Sequence, residues 1–372
     1  MDTPWVEPRQ LARALERHEA FWKGEIDDYP LIWVTVPNAV PGSPPAEPAV
    51  EEALWTDVEY VLSSAEYQLA HTHYAGDALP VHNPWLGPDQ VAAWLGAPLS
   101  LAPRLNTSWV EPLVRDWDDP PRLAIDPANR WWRLYLEILR GSVERGRGKW
   151  VTTYPDLHTG IDGLAALRGP EQLLVDLIEQ PEAVGRAMGE MTALLKWIVD
   201  QVSAVVLPTG QGTSNWTMGW SRERFLCIGQ NDATCMIGPE MFERFCWADT
   251  VESCRHVERT IYHLDGPGAL RHLPRLLEIE ELDCVQWIQG AGSPPPSRWL
   301  PMLRQVQAAG KSVQVYYGPS HGDDADLAAE LELLCRELDW RRLFFWATVP
   351  SVAQAEALVD LARAAALRTA RR

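Results

Sequence analysis

The chain has 372 residues, of which 46% are hydrophobic and 23% charged, and its formal net charge is −18. The length suits one large α/β barrel with additions, and the apolar fraction is ample for a core. So acidic a balance excludes nucleic acid as the principal partner, because phosphate recognition needs a basic face. No uninterrupted apolar run approaches the ~20 residues that span a bilayer. Met1-Asp2-Thr3-Pro4-Trp5 has no basic segment leading into an apolar one. The expectation is therefore no signal peptide, no membrane partner and a cytoplasmic location. Cys227, Cys235, Cys246, Cys254, Cys284 and Cys335 have no CxxC spacing and read as buried, reduced thiols.

Apolar periodicity predicts a helix over 8–25, and Leu31-Ile32-Trp33-Val34-Thr35-Val36 a strand. A proline-rich loop, 37–48, precedes a helix over about 50–70 that ends near His71-Thr72-His73. A short strand and turn follow at 78–83, then a helix over 88–95. Residues 97–120 read as irregular and 128–147 as a long helix. From Trp150 the alternation becomes regular. Strand 150–154 leads through Asp156 and His158 to helices over 161–168, 170–178 and 181–206. Strand 226–228 precedes a helix opening at Gly238-Pro239-Glu240, where proline suits the first turn. The remaining units are 260–264 with 268–278, 284–288 with 297–309, 312–316 with 325–337, and 343–346 with 351–367.

Strand-then-helix units in succession imply a parallel sheet. No GxGxxG or GxxxxGK[ST] stands at a strand–helix turn, which disfavours a dinucleotide or P-loop fold. The expected fold is a (β/α)8 TIM-type barrel with an N-terminal helical extension. It forms one domain over 1–372, with 1–149 the divergent part and 150–372 the regular βα units.

In such a barrel the C-terminal strand ends converge on one mouth. Those ends carry Asp156 and His158; Gln230, Asn231 and Asp232; His263 and Asp265; Gln286, Trp287 and Gln289; and Tyr316 and Tyr317. His71, His73, His82 and Asn83 could lie over the same mouth. His263 and Asp265 are two apart, so an extended strand projects them to one face. Gly266-Pro267-Gly268 follows and lets a ligand approach the backbone. Imidazole and carboxylate there could ligate one divalent metal, or act as a base with its orienting acid. The alternative is a locally bonded histidine with Asp265 capping the next helix. Asp156-Leu157-His158 repeats the alternation, its alternative being a turn begun by Pro155-Asp156. Asp232 reads as either a site acid or a solvated loop acid. Asp162 and Arg168 read as capping and ion-pairing residues.

The expected catalytic groups are His263, Asp265, Asp232 and Asp156. Expected substrate contacts are His158, Asn231, Gln286, Trp287, Gln289 and Tyr316. The expected metal ligands are His263 and Asp265. Of the 19 tryptophans most should be core, and some could line a pocket for a flat or sugar-like ligand.

Five stretches, taken together, resemble the uroporphyrinogen decarboxylase superfamily, which also holds corrinoid-linked methyltransferases. They are Leu164-Ala165-Ala166-Leu167-Arg168-Gly169, Glu171-Gln172-Leu173-Leu174, Met236-Ile237-Gly238-Pro239-Glu240-Met241-Phe242-Glu243-Arg244-Phe245, His263-Leu264-Asp265-Gly266 and Gln286-Trp287-Ile288-Gln289-Gly290-Ala291-Gly292. The resemblance covers roughly residues 150–365 and implies a (β/α)8 barrel enzyme acting on a small molecule. The decarboxylases carry an arginine-rich segment after the first strand, where this chain reads Val34-Thr35-Val36-Pro37-Asn38-Ala39-Val40. Without that cluster, uroporphyrinogen decarboxylation itself is not expected. The zinc methyltransferases carry His-x-Cys at one strand end and a second cysteine after the last strand. Here the two places read His263-Leu264-Asp265 and Phe345-Trp346-Ala347-Thr348.

Both thiolates are absent, which leaves a harder N/O site of His263 and Asp265, with His158 or Asp156 added. The resemblance thus implies metal-assisted methyl or one-carbon transfer, using zinc or another divalent ion, with a corrinoid protein as partner and a homodimer as one expected assembly. The alternatives are a decarboxylase of a carboxylated small molecule and a non-catalytic ligand-binding barrel.

Overall fold

The computed structural model describes residues 3–228, 231–290, 292–318 and 326–369. Gln230, one of the strand-end polar residues named above, lies outside the described residues. The strands are β1 Leu31–Pro37, β2 Thr72–Gly76, β3 Val81–His82, β4 Leu99–Ala102, β5 Thr107–Val110, β6 Val151–Thr152, β7 Phe225–Ile228, β8 Arg259–Asp265, β9 Cys284–Ile288, β10 Ser312–Tyr317 and β11 Leu343–Thr348. Seven form one sheet in the order β2-β1-β11-β10-β9-β8-β7. All its ladders are parallel except the edge pair β1–β2. β3 and β6 pair in parallel with each other, and β4 with β5 in antiparallel fashion.

The protein is therefore a mixed α/β fold around a mostly parallel sheet. Among the described residues the ladders run unbroken from β2 to β7 without closing into the eight-stranded barrel expected from the sequence.

Both faces of this sheet are buried, which is why the strands read as continuous apolar runs. Leu31, Ile32, Trp33 and Val34 of β1 are all buried, as are Cys284, Val285, Gln286 and Trp287 of β9. One apolar cluster extends from Val6 to Ala366. The first helix, Pro8–Lys23, joins it through Phe21, whose ring meets Phe344 edge-on at 5.8 Å, and Trp22, 4.7 Å from Phe225. The helix Pro181–Val206 belongs to a segment long and apolar enough to cross a bilayer by length and composition. Its face of Val184, Met188, Met191, Leu195, Ile198 and Val202 is buried inside the protein, as in many core helices.

Two local expectations are corrected. The helix expected over 50–70 is two helices, Ala53–Thr56 and Val58–Ala70, divided at Asp57, whose carboxylate accepts from the backbone N–H of Tyr60 at 3.0 Å. That second helix ends at Ala70, capped by His71 as expected, and Thr72 and His73 then open β2, because β1 offers them an antiparallel edge. The stretch 97–120 contains the β4–β5 hairpin, turned at Asn106 with φ 52°. Among the cysteines five are buried as expected, and Cys235 is exposed.

Candidate functional site

β8 presents His263 and Asp265 on one face, as its alternation predicts, with Tyr262 and Leu264 buried on the other. Asp232 opens the 3₁₀ turn Asp232–Met236 that follows β7, the strand next to β8. The ligand-capable atoms of Asp232, His263 and Asp265 lie within 4.8 Å of one another. His263 Nε2 is 3.9 Å from Asp232 Oδ1, with the Asp232 side chain 50% exposed and that of His263 11%. The cluster thus opens to solvent on the Asp232 side. Asp265 stands at the N-cap of the short helix Gly266–Ala269, yet its carboxylate makes no capping bond there.

Behind His263 the contacts run inward. Its Nδ1 is 2.6 Å from Gln286 Oε1. Gln286 Nε2 is 2.7 Å from Gln314 Oε1, and Gln314 Nε2 is 2.8 Å from the backbone carbonyl of Thr217. His263, Gln286 and Gln314 occupy matched positions on β8, β9 and β10. Trp216 meets the His263 ring edge-on at 4.9 Å.

Asp156 and His158 follow β6 and form a pair, His158 Nε2 to Asp156 Oδ2 at 3.4 Å. Burial alone would depress the His158 imidazolium. The hydrogen bond and charge of Asp156, reinforced by Asp162 and Asp232, outweigh it and push the group up to about 9. Asp162 is pushed up to about 7, by burial first and the Asp232 charge second. Its carboxylate accepts from the N–H groups of Asp232 and Ala233 at 2.7 and 2.9 Å, so it holds the 3₁₀ turn that carries Asp232. Asp249 is pushed up to about 6 by burial, against the Thr192 hydroxyl that donates to it at 2.6 Å.

Gly160, at φ +57°, permits a close approach: a Cβ there would stand 2.9 Å from both Asn231 Oδ1 and Asp249 Oδ2. Burial, then the charges of Asp232 and Asp265, push the exposed Cys235 thiol up. Acids dominate this region, and among them the His158 ring is held toward its charged form by Asp156.

No protein-family model matches the chain, and no curated protein does either. A solved methyltransferase from Methanosarcina mazei shares this fold. It aligns over 94% of this chain and 98% of its own length, with a TM-score of 0.60 and 14% identity. At that identity the likeness shows the fold alone.

Several expected site residues take other places. Gln286 was expected to touch substrate, but it is fully buried and spends both ends of its amide on His263 and Gln314. Trp287 is also fully buried, on the opposite face of β9, packed edge-on to Trp299 at 5.0 Å. Its alternation with Gln286 sends it into the helix layer. Asn231 is buried and hydrogen-bonds Tyr262. Gln289 is 1% exposed, and neither of its amide atoms has a hydrogen-bond partner among the described residues. Tyr316 packs on Trp346 at 4.1 Å and hydrogen-bonds Thr348.

The N-terminal histidines are engaged locally. His71 stacks on Tyr67 at 3.8 Å, His73 pairs with Glu356 at 2.7 Å, and His82 Nδ1 is 2.8 Å from Ser142 Oγ. Asn83 accepts from the Thr153 hydroxyl at 3.1 Å.

Gln314, Trp216 and Thr217 escaped sequence reasoning, whereas Asp162 caps a turn as expected, that of Asp232–Met236. The one legible signal was a glutamine interrupting an apolar strand run twice, at 286 and 314. Asn215-Trp216-Thr217 fits the N-x-[ST] pattern of a glycosylation acceptor, yet Asn215 is 1% exposed and lies inside the protein.

Proposed function

We propose that this chain is a small-molecule enzyme of methyl or one-carbon group transfer, on a barrel of the uroporphyrinogen decarboxylase type. The observation that carries the reading is the convergence of Asp232, His263 and Asp265 within 4.8 Å at neighbouring strand ends. One imidazole and two carboxylates form a hard-to-borderline donor set that suits zinc, manganese or iron and leaves out the thiolates of the related zinc enzymes. A divalent ion held by these three residues would supply Lewis acidity to a substrate oxygen or sulfur.

The chain's own groups do the rest. Gln286 orients His263, and Asp162 fixes the turn bearing Asp232. The His158 ring, held toward its charged form by Asp156, would attract an anionic part of the substrate. Under this reading the barrel is completed by β3 and β6, joined to the Ser214 segment through the Tyr154 N–H, which donates to the Ser214 carbonyl at 3.0 Å. The methyl group would be exchanged with a corrinoid carried by a partner protein in the cytoplasm.

The experiment is metal analysis of the purified protein and of His263→Ala and Asp232→Ala, with methyl transfer from methylcobalamin to thiol acceptors assayed alongside. Stoichiometric metal in the parent protein and its loss in both variants is the expected result. Equal metal content in all three would remove the metal from the reading, and carbon dioxide release from a carboxylated substrate would move the chain to the decarboxylases.

A further inference from the structure

We propose that Gln286 and Gln314 are positioning residues that dictate which ring nitrogen of His263 faces the acidic cluster. The polarity starts from a group that has no proton to give, the backbone carbonyl of Thr217. Thr217 is itself held, because its N–H and its hydroxyl both donate to Asn215 Oδ1, at 2.9 and 2.6 Å.

A carbonyl only accepts, so the Gln314 end that meets it at 2.8 Å is the NH2 group. The Gln314 carbonyl then turns to Gln286 and, by the same rule, receives the Gln286 NH2 at 2.7 Å. Gln286 Oε1 remains for His263 Nδ1 at 2.6 Å, and it too can only accept. Nδ1 therefore carries a hydrogen. Nε2 is the nitrogen that faces Asp232, and in the neutral ring it bears the lone pair.

The order is set by the terminal carbonyl and by neither amide alone. Gln286, Gln314 and Thr217 are all fully buried, so no solvent can repair a reversed link. Reversal would set two acceptors face to face in a dry interior, where an unpaired polar group is costly. Three adjacent strands hold the relay at matched ladder positions, so its geometry depends on no loop between His263 and Gln314.

The use of the lone pair rests on the metal reading above, whereas the assignment of the hydrogen does not. The device would prepare Nε2 as a ligand before any ion arrives. Outer partners of ligating histidines typically change metal affinity about 10–100-fold when lost.

The test is ¹⁵N NMR of the histidine side chains in metal-free protein at alkaline pH, with His263 assigned by the signal missing from His263→Ala. The expected result is a hydrogen-bearing Nδ1 and a bare Nε2 in the parent protein. Gln286→Leu, which removes the acceptor facing Nδ1, should move the hydrogen to Nε2. Gln314→Leu should give a mixture. Zn²⁺ affinity should fall about 10–100-fold in Gln286→Leu.

A hydrogen on Nε2 in the parent protein, or an unchanged ring in a folded Gln286→Leu, would overturn the relay. If the leucine variants do not fold, the parent spectrum alone decides. A hydrogen on Nδ1 in a protein that binds no metal would uphold the relay and remove the metal reading.

Discussion

His158 Nε2 lies 3.4 Å from Asp156 Oδ2 in the segment after β6, and this contact favours the charged ring among neighbouring acids. In Asp156→Asn the hydrogen bond to a carboxylate and its charge are gone, and burial acts with less opposition. The titration of the His158 ring, followed by NMR, should fall from about 9 toward its ordinary value of ~6.5.

The linked stability has a definite sign. A histidine whose folded value is raised stabilises fully below ~6.5, and that stability is lost as the pH rises through about 9. Urea unfolding of the metal-free protein should show this contribution, at most about 3 kcal/mol, and Asp156→Asn should abolish most of it.

Asp249 and Asp162 work in a lower window. Both are acids held above their unfolded value of ~3.9, so the native state binds their protons more tightly. Their contribution is present below that value and is lost as the pH rises through about 6 for Asp249 and about 7 for Asp162. Asp249→Asn keeps an acceptor for the Thr192 hydroxyl and removes the buried charge. Unfolding measured across pH 4–8 should show a shallower decline for this variant, leaving it about 1–3 kcal/mol better placed relative to the parent at the upper end.

Asp265 offers an oxygen donor to the cluster with Asp232 and His263. Asp265→Cys puts a soft donor beside His263, two positions away on the same strand face. Competition between Zn²⁺ and Mn²⁺, read by metal analysis after equilibrium dialysis, should shift toward zinc by roughly tenfold or more. An unchanged ratio would mean that residue 265 is not a ligand.

Far from the mouth, Arg17 donates from Nε to Asp77 Oδ1 at 2.7 Å, with both side chains buried, and Asp77 Oδ2 accepts from the Ile32 N–H at 3.0 Å. The pair ties the first helix to the start of β1. Arg17→Met strands a buried carboxylate and should cost about 3–5 kcal/mol in urea unfolding. Arg17→Met with Asp77→Asn should recover much of that loss, because the uncompensated charge is then gone.

The sequence by itself determined the strand-then-helix succession from Trp150 onward, since an apolar run buried on both faces has a local signature. It also determined that His263 and Asp265 share a face, because alternation along a strand is a property of the backbone. Asp232 was legible as a site acid only with its alternative still open. What the tertiary structure decided is which strands are neighbours. Register across β8, β9 and β10 turned Gln286 from an expected substrate contact into a partner of His263, and brought in Gln314 and Thr217 from 28 and 69 residues away in the chain. The β7–β8 pairing likewise set Asp232 against His263, 31 positions later. The physical reason is that a ligand cluster depends on pairings between distant segments, and the periodicity of any one segment carries no record of its neighbour.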